Sequence, residues 1–236
     1  MIIIFKPVKN LAAVNYVGKT DGIIALVFIA VYAFASFFTL KKIPVDDKYI
    51  YVQILVQMAW LAVIAMMVVL RKQGWISLGF KKERIPYIAT IGFTLVVLVY
   101  SAWKSNYEIL GRWLFYLIAV GGMEEVLFRG YTYPRVVRLF NSHWIALVVT
   151  GMLFGAMHQI APMVWDNAPW YGVFNHIGGG ILGSLIFLLI YALTGNIMNA
   201  IIFHAAMDFT ACMGILSIVY VVILILYKNR KHLSKK

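Results

Sequence analysis

One cysteine, six prolines and only nine acidic residues are few for a chain of 236 residues, and each scarcity excludes something. Cys212, being alone, rules out an intrachain disulfide and a cysteine-built zinc site. Charged residues make up 13% of the chain, against the ~25% typical of soluble domains, so there is too little charge to cover a water-facing globule. HExxH, the two-histidine zinc helix, is absent, as is the GxSG pattern of an intramembrane serine protease. Met1–Lys19 has no uncharged stretch long enough for a signal-peptide core, so the first span is expected to act as an uncleaved insertion signal.

What is abundant is apolar. Hydrophobic residues reach 63% and the mean hydropathy is +0.85, the profile of an integral membrane protein with several spans. Gly22–Leu40 runs 19 residues without a charge and Ile50–Leu70 runs 21. Further spans are expected over Tyr87–Trp103, Trp113–Phe128 and beyond, Ile145–Met163 and Tyr171–Leu193. Between the second and third, Arg71–Pro86 interleaves basic and aromatic residues, as an interfacial segment or a solvated loop would. Gly179 and Gly183 fit a small-xxx-small pattern and predict close helix packing in span six. The last apolar stretch, Asn196–Tyr227, is 32 residues or roughly 48 Å of helix, too long for one ~30 Å crossing. A break near Cys212–Gly214 divides it, which makes the expected fold an all-α polytopic bundle of about eight transmembrane helices.

The net charge of +12 does not signal a nucleic-acid site, because the basic residues fall between spans and in the tail. With eight spans, fifteen Lys and Arg lie on the side of the termini and five on the other. The positive-inside rule then puts both termini in the cytoplasm of a multi-pass protein of the cell membrane.

Against this background the run Gly121-Gly122-Met123-Glu124-Glu125-Val126-Leu127-Phe128-Arg129-Gly130 stands out. A charge within a span costs at least ~2.5–3.5 kcal/mol on insertion scales, so such groups are paired and, by default, functional. Glu125 and Arg129 are four apart, the spacing that stacks a carboxylate on a guanidinium. Glu124 is rotated by about 100° from Glu125 and cannot share that arginine from the same face. Glu124 is therefore the candidate for chemistry, and Glu125 with Arg129 its brace; the plainer alternative is a buried ion pair that only joins helices.

Other ionisable groups reach the same slab of membrane. His158 lies in span five, and His204 and Asp208 lie four apart in span seven, facing the same way. Helical rise places Glu124 about 13 Å, His204 about 10 Å, Asp208 about 16 Å and His158 about 20 Å from the basic side. His176 falls deeper, at about 22 Å, near a span boundary. Any one histidine is explained by a helix–helix hydrogen bond; three spans carrying such groups to one level are better explained by a shared intramembrane polar cavity. A carboxylate in a low-dielectric site makes a useful base, and with an imidazole it can activate water against an amide carbonyl. The same residue types also suit zinc-activated water.

Glu124-Glu125-x-x-x-Arg129, Phe154-x-x-x-His158 and His204-x-x-x-Asp208 together resemble the three ordered motifs of the CPBP family, the CAAX-protease and bacteriocin-processing intramembrane proteases, which include lysostaphin-resistance-type proteins. The resemblance implies an endopeptidase acting on a membrane-associated peptide or protein, with Glu124 and His158 activating water. It implies that His204 and Asp208 stabilise the oxyanion and that Glu125 and Arg129 organise the site. Many members carry Asn where Asp208 stands, and an Asp donates a hydrogen bond only when protonated, so Asp208 has the alternative of orienting His204 as an acceptor. Zn2+ stays open as a cofactor; if a metal takes part, Glu124, His158 and His204 are its expected ligands. The chain then divides into a three-span region (1–111), the family-like core (112–212), and a last span with a basic tail (213–236). Two other functions compete: a non-catalytic immunity or scaffolding protein that binds a toxin or sensor kinase, and, less favoured, a proton-coupled transporter.

Overall fold

The computed structural model describes residues 11–43 and 48–233, all helical or in turns among those residues. A backbone surrounded by lipid must satisfy its own N–H and C=O groups, and these apolar runs do so as helices. Eight main helices follow in order: α1 (Lys19–Lys42), α2 (Ile50–Leu70), α3 (Arg84–Trp103), α4 (108–140), α5 (His143–Met157), α6 (Val173–Thr194), α7 (Ile197–Phe209) and α8 (Ala211–Leu233). Six qualify as membrane spans by length and composition; α4 and α7 do not. The two exceptions have a physical reason. The span-length part of α4 carries Arg112, Glu124, Glu125 and Arg129, and α7 has only 13 residues. Both carry expected site residues, and both bury much of their surface among their neighbours.

Several expected boundaries shift. The last apolar stretch breaks at Thr210 rather than near Cys212–Gly214. Span five runs over His143–Trp165, with a turn after Met157 that leads into the short helix Ile160–Trp165. Trp75–Leu78 is a 3-10 turn with Ser77 and Leu78 buried, so this part of the basic segment packs onto the protein. The charges of Lys6, Lys9, Lys235 and Lys236, which enter the orientation argument, lie outside the described residues.

The α4 helix runs unbroken from 108 to 140, but its turns widen to i→i+5 hydrogen bonding over Phe115–Gly122 and again over Val126–Thr132. Only Met123–Glu125, between them, keeps α-helical turns. Such π stretches recur at functional sites, where they re-aim side chains. Glu124 sits at the midpoint of α4.

Contacts at the two ends hold the bundle together. At the end rich in Lys and Arg, Arg71 pairs with buried Asp21 at 2.8 Å, and Lys228 meets Glu83 at 2.6 Å. There too the Ile197 amide donates to the Gly79 carbonyl at 3.1 Å, tying the start of α7 to the turn before α3. At the opposite end the Trp165 indole donates to the Leu40 carbonyl at 3.3 Å. Trp113, fully buried, locks α4 between α3 and α7: its indole donates to Thr94 Oγ1 at 3.0 Å and its ring meets Phe209 edge-on at 5.5 Å.

The close approach of α5 and α6 does not use the expected glycines. A Cβ on Gly178 or Gly179 meets nothing within 4 Å, and one on Gly183 makes ordinary contacts. Gly180 instead faces the backbone of Gly151 and Gly155, and its i+4 neighbour Ser184 is buried on the same face. The small-residue register is thus one position off the predicted pair: Gly179 faces open space and a Cβ on Gly183 meets only the Phe154 ring of α5, at 3.7 Å. Gly180→Val should lower the melting temperature in detergent, at a cost of about 1–3 kcal/mol of overpacking or more, whereas Gly179→Ala should leave it unchanged.

Candidate active site

Glu125 is completely buried at the middle of α4. Its Oε1 accepts hydrogen bonds from Arg129 Nη1 at 3.0 Å and from His204 Nδ1 at 2.8 Å. The guanidinium donates from Nη2 to Ser184 Oγ at 3.2 Å and lies between the rings of Phe154 and Phe187, 4.3 and 4.9 Å from their centroids. The rings provide cation–π attraction in a place without water. Phe187 also stacks on the His204 imidazole at 4.3 Å. One ionic pair thereby positions an imidazole from another helix. Gly121 makes this approach possible: a Cβ there would sit 2.7 Å from the Ile201 carbonyl oxygen of α7.

The donor at His204 Nδ1 leaves Nε2 for the site. Nε2 lies 3.4 Å from Asp208 Oδ2 and 3.7 Å from Glu124 Oε2. Oε2 of each glutamate lacks a hydrogen-bond partner, but the Glu124 side chain is 27% exposed against 0% for Glu125, whose Oε1 holds two bonds. The two adjacent glutamates are therefore distinct: one locked into a network, the other presented to a cavity. Asp208, with its side chain 41% exposed, borders His204 at the far end of α7.

Glu124 and His158 line a common cavity of about 240 Å³, room for several waters. His158, exposed to it, bonds through Nδ1 to the Phe154 carbonyl at 2.8 Å. A carbonyl only accepts, so Nδ1 carries the proton and Nε2 of the neutral ring is left with its lone pair. His176 stacks loosely on His158, 6.5 Å away. His204 is almost wholly buried and is not among the cavity's lining residues; it reaches the site only through Glu124 and Asp208.

The geometry does not favour the expected metal set. Among the described residues no three His, Cys, Asp or Glu side chains are arranged to hold a metal ion. Glu124, His158 and His204 are not arranged to hold Zn2+ as a three-ligand group.

Several site residues escaped the sequence reading. Ser184 and Phe187, with the motif residue Phe154, hold Arg129, and the hydroxyl of Tyr32 and the amide of Gln57 face Glu124 across the cavity. A signal existed for one of these: Gln53 and Gln57, four apart, are the only amide side chains in the uncharged α2.

Taken together, these features define a polytopic all-α membrane protein with a carboxylate–imidazole site buried in its helical bundle. Residues 106–210, which hold all three motifs, match the family described as "Type II CAAX prenyl endopeptidase Rce1-like". That segment is thus similar to the CAAX-type intramembrane proteases of the CPBP family. No curated protein and no solved structure matches the chain.

Proposed function

We propose that the protein is an endopeptidase of the cell membrane that cleaves a membrane-associated peptide or protein with water activated by Glu124 and His158. The observation that supports this reading is the shared cavity: a partly exposed carboxylate and an imidazole whose Nδ1 alone is engaged by the protein line one water-sized space. Glu124 takes a proton from water while His158 Nε2 holds the second hydrogen. The water oxygen bonds to the carbonyl carbon, the C–N bond breaks, and the abstracted proton passes to the leaving amine. Charge developing on the carbonyl oxygen needs a donor beside Glu124, and His204 is the nearest candidate: as an imidazolium among Glu124, Glu125 and Asp208 it donates from Nε2 as well as from the Nδ1 held by Glu125 Oε1. Asp208 serves as the partner that holds this imidazole. Leader-peptide processing or bacteriocin self-immunity is the physiological setting we infer, and we place both termini in the cytoplasm from the charge distribution.

Cleavage of a peptide library by the purified protein tests this directly. His158→Ala should lower kcat by about 10²–10⁴-fold, the usual worth of a positioned acid–base group. Equal cleavage by the wild type and the variant would falsify the assignment. Activity should also persist after exhaustive chelation, since the water activation proposed here uses protein groups alone. If Glu124→Gln keeps the cellular phenotype and neither protein cleaves, the protein acts instead by binding a toxin or sensor kinase.

A further inference from the structure

The cavity wall that faces Glu124 and His158 comes from outside the family-matched segment. On α1 it is formed by Tyr32, Ser36 and Thr39, spaced i, i+4 and i+7 so that all share one face. On α2 it is formed by Gln53, Gln57 and Trp60, again at i, i+4 and i+7. The Tyr32 hydroxyl donates to Gln57 Oε1 at 3.0 Å, which fixes the amide and leaves its amino group without a protein partner among the described residues. A half-buried donor held in place without a partner calls for an acceptor, and in a peptidase the available acceptor is a substrate backbone carbonyl.

The cavity is also one-sided. Because α1 runs away from the basic end, Tyr32, Ser36 and Thr39 rise in that order toward the opposite end, where Leu40, Ile160 and Ala161 complete the lining. Toward the basic end it is closed by rings. Tyr32 meets Trp60 edge-on at 5.3 Å and Phe128 meets Phe154 at 5.2 Å, with Phe28 behind them against Trp60 and Tyr131, both at 5.8 Å. Among the described residues, none of the basic loop residues lines the cavity and neither does any Lys or Arg, and Glu124 is its one carboxylate. An acidic peptide segment would find no Lys or Arg there among the described residues, and a basic one only the carboxylate needed for water activation.

We infer that α1 and α2 form the substrate-binding wall of the site, which takes an extended, uncharged peptide segment arriving from the end opposite the basic loops, the extracytoplasmic face of the membrane. This rests on the reading of the site as a peptidase, and the side follows from the excess of Lys and Arg at the closed end. Gln57 and Tyr32 are positioning residues: they hold the peptide against Glu124 and take no part in proton transfer.

Two measurements test the inference, and neither needs turnover. In a Cys212→Ser background, Thr39→Cys at the cavity mouth should react with a membrane-impermeant maleimide in intact expressing cells, while Lys82→Cys in the basic loop should react only after permeabilisation. Labelling of the Thr39→Cys protein only after permeabilisation, or in neither state, overturns access from outside. With Glu124→Gln added to make the protein inactive, an N-acetylated, C-amidated uncharged decapeptide should slow labelling of the thiol at the cavity mouth by about tenfold. Gln57→Leu or Gln57→Met should remove that protection. Protection that survives both Gln57 variants, or that an equally long acidic peptide gives as well, overturns the binding wall. In the active enzyme Gln57→Leu should raise KM about tenfold with little change in kcat; a loss confined to kcat counts against it. If the wild type never cleaves yet protection is seen, the peptidase reading fails while the binding wall stands.

Discussion

Arg129→Ala should unfold the protein or come close to it, at a cost of about 3–5 kcal/mol, the range for stripping one partner from a buried ion pair. Glu125 is wholly inaccessible, and among the described residues Arg129 is the one Lys or Arg paired with it. Without the guanidinium the carboxylate keeps its hydrogen bond to His204 but loses its fixed positive partner in a low-dielectric site. The rings of Phe154 and Phe187 would also close on an empty slot between α4, α5 and α6. Arg129→Lys should recover part of the loss, since an ammonium restores the charge but cannot fork between Glu125 and Ser184 or lie flat between two rings. The measurement is the melting temperature in detergent together with the yield of folded protein. An unchanged melting temperature for Arg129→Ala would mean that the surrounding bundle relaxes enough to hydrate Glu125.

Much of this arrangement could be read from spacing, and what could not has identifiable causes. Glu125 and Arg129 are neighbours on one helix, so their pairing follows from periodicity even though the turns around them widen. His204 and Asp208 likewise share a face at i, i+4. The bond between His204 and Glu125 joins residues 79 positions apart, and no local rule predicts which of two adjacent glutamates an imidazole on another helix will reach. The helix register was legible only to within one residue, as the shift from Gly179 to Gly180 shows: a run of three glycines offers no side-chain pattern to decide which one faces the neighbour. The cavity wall was missed for another reason. Tyr, Ser, Thr and Gln are tolerated singly in any span, and only the joint orientation of Tyr32 and Gln57 toward Glu124 gives them a role.

Glu124→Gln and Glu125→Gln, one position apart, should have opposite signatures. Glu124→Gln should reduce kcat by about 10²–10⁴-fold or more, because an amide cannot take the proton from water, and it should leave the melting temperature unchanged or slightly raised. Its Oε2 has no hydrogen-bond partner to lose, and the substitution removes an ionic charge from a poorly solvated wall. Glu125→Gln keeps the shape but weakens the bonds to both Arg129 and His204, so it should lower stability and activity together. Measuring kcat and melting temperature on the same preparations separates the two cases. A functional group is typically held at some cost to the fold, while a structural one is held because the fold needs it. If the roles were reversed, with Glu125→Gln inactive but stable and Glu124→Gln unstable but active, the base would have to be the carboxylate sealed behind Arg129. Water would then have to reach a side chain of zero accessibility, and the cavity would have no part in the chemistry.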